Sequence, residues 1–387
     1  MVNPPFKLYL TCPIGFESVC KNEINKLGIE VSSVANGGLF LSGEMKDVYR
    51  INYSCRTGMV LWLELKKIKA ETEDQIYENI FSMDWSGFIP PNSTIFLKCV
   101  QKGSRFRNTH FIELKTKDAI VDSIRMKRGN RPDIDAKNPD FHIQIFLDKG
   151  QATLYLNTSG KPLNRRGYRV DNVIAPLNES LAAAIIQESS WKIGMSFFDP
   201  FCGSGTICIE AGMQAFNIPS GYLRQKWAFQ KTPWYSETDW NSMKSKTNEK
   251  IIKEKKLEIY GSDIDGFAIH TSKKNAARIL PESTLHFKQI AFKDWTPTNS
   301  PGILITNPPF GIRMKNHKDI DYLYQSIGDG LKQKCDGITA FILCGNRKLI
   351  PQIGLRTKSK KKVRISNLDG RLAEYELYSG SRKSHDP

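Results

Sequence analysis

The chain of 387 residues carries 56 Lys and Arg against 40 Asp and Glu, a formal charge of +16, with 40% hydrophobic and 25% charged residues. That length exceeds one compact module and suits two or three domains of about 100 to 200 residues, and the composition excludes a disordered, collagenous or coiled-coil chain. The positive excess attracts polyanions and makes nucleic acid the first partner to test, against the blander reading of solvated lysine faces.

The opening residues MVNPPFKLYLTCP lack the apolar run of a signal peptide, and no stretch approaches about 18 consecutive apolar residues. The eight cysteines form no C-x-x-C pair and no zinc-ligand spacing. A cytoplasmic, reduced protein without a metal site is expected. Leu8 and Leu10 predict a short strand; Phe16, Val19, Cys20, Ile24 and Leu27 then recur at helical spacing up to Gly28. Gly37-Gly38 reads as a turn before the apolar Leu39-Phe40-Leu41.

From about residue 52 to 159, apolar runs at 60–68, 94–100, 141–147 and 152–156 predict strands, and 116–128 predicts a helix. Residues 98–131 hold ten Lys and Arg against three acids. Within them Lys98, Lys102, Arg105, Phe106, Arg107, Arg125, Lys127, Arg128 and Arg131 are candidate RNA contacts, with Phe106 set between two guanidiniums to stack on a base.

From about Lys161 strand and helix candidates alternate, which predicts a mostly parallel sheet covered on both faces. The strands fall at 196–199, 257–262, 284–290, 302–306 and 338–344, and 363–366 with 372–378 predict a terminal hairpin around Asn367-Leu-Asp-Gly370. Residues 213–256, with Trp227, Trp234 and Trp240, form an insertion whose lysine-rich part, 244–256, predicts a solvated helix. Residues 346–364 carry eight basic groups and no acid, either a second phosphate contact or a flexible loop.

The chemistry concentrates at the predicted strand ends. Asp199-Pro-Phe-Cys-Gly-Ser-Gly-Thr206 joins a strand to a helix, and Gly203 and Gly205 permit close approach of a ligand. Position 208 is Cys, so the G-x-G-x-x-G dinucleotide fingerprint fails, and no phosphate loop exists. An acid before the glycines instead suits the cationic ammonium and sulfonium of S-adenosylmethionine. Asp263 at the next strand end can accept from both ribose hydroxyls, with Ile264 beside the adenine; its alternative is the N-cap of the following helix. Asp294 is placed for the adenine amino group. Asn307-Pro308-Pro309-Phe310 gives a rigid corner with an amide to hold an exocyclic amine and a ring to stack on a base. No Ser/His/Asp arrangement or metalloprotease helix accompanies it, and positioning an activated methyl needs none.

With DPFCGSGT, GSDID and NPPFG in this order, the second half of the chain resembles a class I S-adenosylmethionine-dependent methyltransferase acting on an amino nitrogen. Arg165-Arg-Gly-Tyr-Arg169, residues 175–182 (APLNESLA), residues 8–17 and 117–122 (KDAIVD) extend the resemblance to the THUMP-containing RNA guanine-N2 methyltransferases, of the RlmL type that acts on bacterial 23S rRNA. The resemblance implies an α/β chain with a ferredoxin-like region at 1–55, a THUMP RNA-binding domain at 56–159 and a Rossmann-like methyltransferase domain at 160–387. It implies Asp199, Phe201, Cys202, Gly203, Gly205, Thr206, Asp263, Ile264, Asp294 and Asn307 for the cofactor, and Asn307, Pro308, Pro309 and Phe310 for catalysis. It further implies a monomer that modifies the N2 of a guanosine, in rRNA before tRNA. Phe310 replaces the commoner Tyr, and no second methyltransferase domain of the kind fused to some relatives is present in this sequence. A DNA adenine-N6 methyltransferase and a non-catalytic RNA-binding assembly factor remain as alternatives.

Overall fold

The computed structural model describes residues 3–103, 106–170, 176–311, 317–365 and 367–378. In chain order the strands are β1 (Phe6–Thr11), β2 (Val31–Ala35), β3 (Gly38–Gly43), β4 (Val60–Lys69), β5 (Thr94–Lys102), β6 (Asp133–Ile134), β7 (Phe141–Asp148), β8 (Gln151–Asn157), β9 (Ser196–Asp199), β10 (Ile259–Asp263), β11 (His286–Gln289), β12 (Gly302–Thr306), β13 (Ile338–Cys344), β14 (Ser359–Ile365) and β15 (Leu368–Glu376). The helices are α1 (Glu17–Lys26), α2 (Met45–Ser54), α3 (Glu73–Phe81), α4 (Trp85–Phe88), α5 (Thr109–Arg128), α6 (Glu179–Glu188), α7 (Thr206–Ala215), α8 (Glu237–Asn248), α9 (Gly266–Ala277) and α10 (His317–Lys334). Two compact units divide the chain: one takes the described residues of 1–12, 21–165 and 224–247, the other those of 13–20, 166–223 and 248–387.

The first unit is built on a sheet ordered β2-β3-β1-β4-β8-β7-β5-β6. Its strands alternate as a half-covered sheet requires: in β7 Phe141, Ile143, Ile145 and Leu147 are buried while the residues between them are not. Helix α5 begins seven residues before the predicted start. Asn108 caps it by accepting from the Phe111 N–H at 3.1 Å, and Gly129 ends it in the left-handed conformation at φ +75°. The segment 224–247 adds an aromatic cluster: the Tyr49 and Phe229 rings lie 5.0 Å apart, Tyr53 and Trp240 5.5 Å, and Phe229 and Trp240 5.1 Å.

The second unit carries the sheet β11-β10-β9-β12-β13-β15-β14, parallel from β11 to β13 and antiparallel in the last two pairings. β9 and β12 are buried at every residue, as central strands covered on both faces are. Phe197, Ile207, Ile209, Ile303, Ile305 and Leu343 meet in its core with α6 residues Ile185 and Ile186. The chain order of strands reverses direction between β9 and β12, so a crevice opens at the carboxyl ends of those two strands.

Three expectations change in this unit. The lysine-rich stretch 244–256 is helical only to Asn248; beyond it the Ile252 N–H donates to the Phe216 carbonyl at 2.9 Å and ties down a non-helical segment. The hairpin is longer and its connection tighter, since Val363 pairs with Gly370 and Ile365 with Leu368, so Asp369 and Gly370 lie inside β15. Residues 346–364 are neither a loop nor uniformly free cations. They form a 3₁₀ turn (Arg347–Ile353) and the edge strand β14; Lys358, just before the strand, pairs with Glu374 at 3.0 Å and Glu376 at 2.6 Å, and Lys361 within it pairs with Glu188. Lysines on an edge strand also discourage pairing with another chain.

Candidate active site

At the end of β9 the backbone turns through Gly203 (φ +52°) and Gly205 (φ +79°), conformations that a side chain disfavours. A Cβ on Gly205 would stand 2.9 Å from the Ser272 Cβ and 3.0 Å from the Phe287 ring, so glycine also lets the start of α7 close against α9 and β11. A Cβ on Gly203 would meet nothing within 4 Å, because that backbone faces open cavity.

The cavity holds about 800 Å³ and brings Asp199, Phe201, Cys202, Gly203, Thr206, Asp263, Ile264 and residues 307–311 onto one wall system. The glycine turn, the second strand end and the Asn-Pro-Pro-Phe corner, distant in sequence, therefore meet as their placement on neighbouring strands demands. Gly205 lies behind this surface as the N-cap of α7. Asp294 lies exposed and does not line the cavity; Ala291, Phe292 and Lys293 of the same turn do. The Phe201 and Phe292 rings stack at 5.2 Å, an apolar wall suited to an adenine.

Asp199 is fully buried. Its Oδ1 accepts from the Thr306 Oγ1 at 2.7 Å and the Phe201 N–H at 3.3 Å, and its Oδ2 has no hydrogen-bond partner among the described residues. Burial pushes its carboxyl up to about 7, with repulsion from Asp263 adding to the shift. Asp263 Oδ2 accepts from the Gly203 N–H at 2.9 Å, and Oδ1 from the Asp265 N–H at 3.0 Å, which leaves lone pairs for further donors. The N-cap of α9 is Asp265, not Asp263.

Asn307 follows β12, and its Oδ1 is buried with no partner among the described residues. An amide oxygen kept from water in this way is costly unless a donor arrives. Phe310 is held from behind: a Cβ on Gly345 would fall 2.4 Å from its ring, so only a glycine there lets the ring pack against the end of β13.

Two groups escaped sequence reasoning. Arg169 donates from Nη1 to Ser204 Oγ at 3.1 Å, from Nη2 to Thr206 Oγ1 at 3.0 Å and to the Leu177 carbonyl at 2.8 Å, and from Nε to Glu179 at 2.6 Å. It clamps the glycine turn, and the motif 165–169 was its only sequence signal. The face of α10 bearing Asp319, Tyr322, Leu323 and Ser326 also lines the cavity, at helical spacing.

In the first unit the basic set is placed differently. Phe106 is buried, only 8% exposed, so its ring is packed and not presented to a base. Arg105 lies outside the described residues. Lys98 pairs with Glu113 at 3.5 Å, Arg125 with Asp122 at 3.2 Å and Lys127 with Asp84 at 2.9 Å; Arg128 Nη1 donates to the Ile89 carbonyl at 2.7 Å. Lys102, Arg107 and Arg131 are exposed. Surface pairs of this kind hold little energy and yield readily to a phosphate.

A mostly parallel seven-stranded sheet, with an acid-flanked glycine turn and an amide corner sharing one cavity, defines a class I methyltransferase that uses S-adenosylmethionine. The unpartnered Asp199 oxygen, the open face of Gly203 and the Phe201–Phe292 wall fit the ammonium, methionine chain and adenine of that cofactor. Comparison with known proteins gives the family. Residues 166–374 match the RMKL-like methyltransferase domain, 70–157 the THUMP domain and 7–59 the RlmL ferredoxin-like domain. The chain belongs to the RMKL-like methyltransferase family. A Synechocystis protein named as a proposed RNA methyltransferase is 33% identical over 370 residues, 96% of each chain. The ribosomal RNA large subunit methyltransferase K/L of Pseudomonas entomophila is 32% identical over 91% of this chain, which spans about half (50%) of that relative's length. Among solved structures, SMU.472, a proposed methyltransferase in complex with SAH, superposes with a TM-score of 0.87 at 29% identity, covering 97% of this chain and 99% of that one.

Proposed function

We propose that this methyltransferase modifies the exocyclic N2 of a guanosine in RNA, with large-subunit ribosomal RNA as the substrate. The observation that carries the reading is the buried, unpartnered Asn307 Oδ1 on the wall it shares with the glycine turn. An exocyclic amine has its lone pair delocalised into the ring. Acceptance of its two N–H bonds by Asn307 Oδ1 and the Pro308 carbonyl, with the ring on Phe310, holds the nitrogen in line for attack. S-adenosylmethionine, held by Asp199, the open backbone at Gly203 and the Phe201–Phe292 wall, would supply a methyl already activated on sulfonium, and the amine proton displaced by the methyl would pass to solvent. A target paired in a helix has to be extruded to reach this depth.

Support for RNA comes from the THUMP match, the names of the relatives and the excess of positive charge. In this reading residues 1–55 form the ferredoxin-like lead, 56–159 grip the RNA, 160–387 carry the chemistry, and the protein acts as a cytoplasmic monomer. Labelled S-adenosylmethionine is offered with ribosomal RNA, transfer RNA and DNA, and the products are digested and identified by mass spectrometry. N2-methylguanosine from ribosomal RNA is expected. N6-methyladenine from DNA as the main product overturns the reading.

A further inference from the structure

Beyond the cofactor cavity the same unit holds a second, more open groove of about 910 Å³, and Phe310 and Gly311 belong to the walls of both. Its far side is the turn after β13, where Asn346, Arg347 and Lys348 are exposed along it. Two acids also line it. Asp369 pairs with Arg371 at 2.8 Å and Lys362 at 3.8 Å and also feels the charge of Arg347, and Asp321 is the second acid. With Arg371 and Lys362 counted, the surroundings of the groove are net positive.

The turn has a double task. Its first residue, Gly345, presses against the Phe310 ring, and its next residues carry the positive charge. A base that enters the cavity to reach Asn307 leaves its ribose and phosphates outside, and the wall that the cavity shares with this groove runs through Phe310 and Gly311. Guanidinium and ammonium groups at that exit meet phosphate oxygens and fix the register of a strand without reading its sequence.

We propose that this groove is the seat of the ribose-phosphate backbone flanking the target nucleotide, with Arg347 and Lys348 as its phosphate contacts. The inference rests on the RNA methyltransferase reading above and adds to it the path of the strand.

The test is steady-state methylation of ribosomal RNA by the full-length protein, as wild type, R347A/K348A and the reversal R347E/K348E, across a salt series. Both residues are exposed, so melting temperatures serve as the folding control. For the alanine pair a rise of about tenfold in KM for RNA is expected, with kcat within twofold and cofactor affinity unchanged. The slope of log kcat/KM against log salt should flatten by about 1.5, the loss of two phosphate contacts. The reversal should raise KM further, and R347K should restore part of the loss. Unchanged KM and salt slope in both double variants, beside an active wild type, overturn the groove and leave the reaction standing. A wild type that binds cofactor and methylates no RNA overturns the functional reading itself and this inference with it.

Discussion

Asp199 shows how one side chain links folding, cofactor and pH. Its carboxyl titrates near 7 in the folded chain and at the ordinary 3.8 when unfolded, because burial penalises the charge. Between about pH 4 and 7 the folded state therefore holds a proton that the unfolded state has released, and stability from this group is present at low pH and is lost as pH rises through 7. Asp199→Asn should gain stability relative to wild type at pH 8 and not at pH 4, as read from urea unfolding. The cofactor ammonium prefers the ionised form, so S-adenosylmethionine affinity in wild type should fall about eightfold from pH 7.5 to 6, while the Asn variant binds weakly and with a flat profile. A profile of equal slope in both proteins removes the assigned role. At the other end of the cavity, Asn307→Ala should lower kcat by at least about 100-fold with cofactor affinity within threefold by calorimetry, since it removes an acceptor for the reacting amine and leaves the glycine turn alone. Near-normal turnover in that variant contradicts the mechanism. These residues were legible because they stand in turns just past the carboxyl ends of strands, where ligands bind in sheets of this kind. Arg169 was not, since a guanidinium becomes a clamp only through the tertiary placement of Ser204, Thr206 and Glu179.

The segment 166–170 shows the same limit at the scale of elements. Arg166 and Glu210, 1% and 0% exposed, form a buried ion pair at 3.3 Å, and the Tyr168 hydroxyl donates to the same carboxylate at 3.3 Å. The segment is thereby fastened to α7, whose first turn borders the cofactor cavity. Arg166→Met strands a carboxylate in the core and should cost about 3 to 5 kcal/mol, whereas R166M/E210M, in which both charges of the pair are gone, should recover most of that loss. Equal destabilisation of the two variants in denaturant unfolding counts against an electrostatic origin. Periodicity showed the strands 196–199, 302–306 and 338–344 without error because they are central strands with unbroken apolar runs in their middles. It missed the first two turns of α5, where the Asn108 cap was the available signal, and it took Asp369-Gly370 for a turn because the register of β14 on β15 depends on pairing between strands.

For the molecule as a whole, sequence order and spatial order part company at residues 224–247. The tryptophans marked an insertion between α7 and β10, but neither spacing nor composition says which core an aromatic segment joins, since burial is not directional. The structure assigns it to the first unit, where Trp227 and Trp240 are buried and the Trp234 ring lies 5.0 Å from Phe6 and 5.4 Å from Phe88. A unit that borrows part of its core from beyond residue 165 cannot complete that core when cut there. A fragment of residues 1–165 should bind a hydrophobic dye and melt broadly, and Trp240→Ala in the full chain should cost about 3 to 5 kcal/mol. That residue does not line the cofactor cavity, so S-adenosylmethionine affinity should stay within twofold of wild type. A fragment that melts sharply, at the temperature of the full protein, shows that the first unit closes its core without residues 224–247.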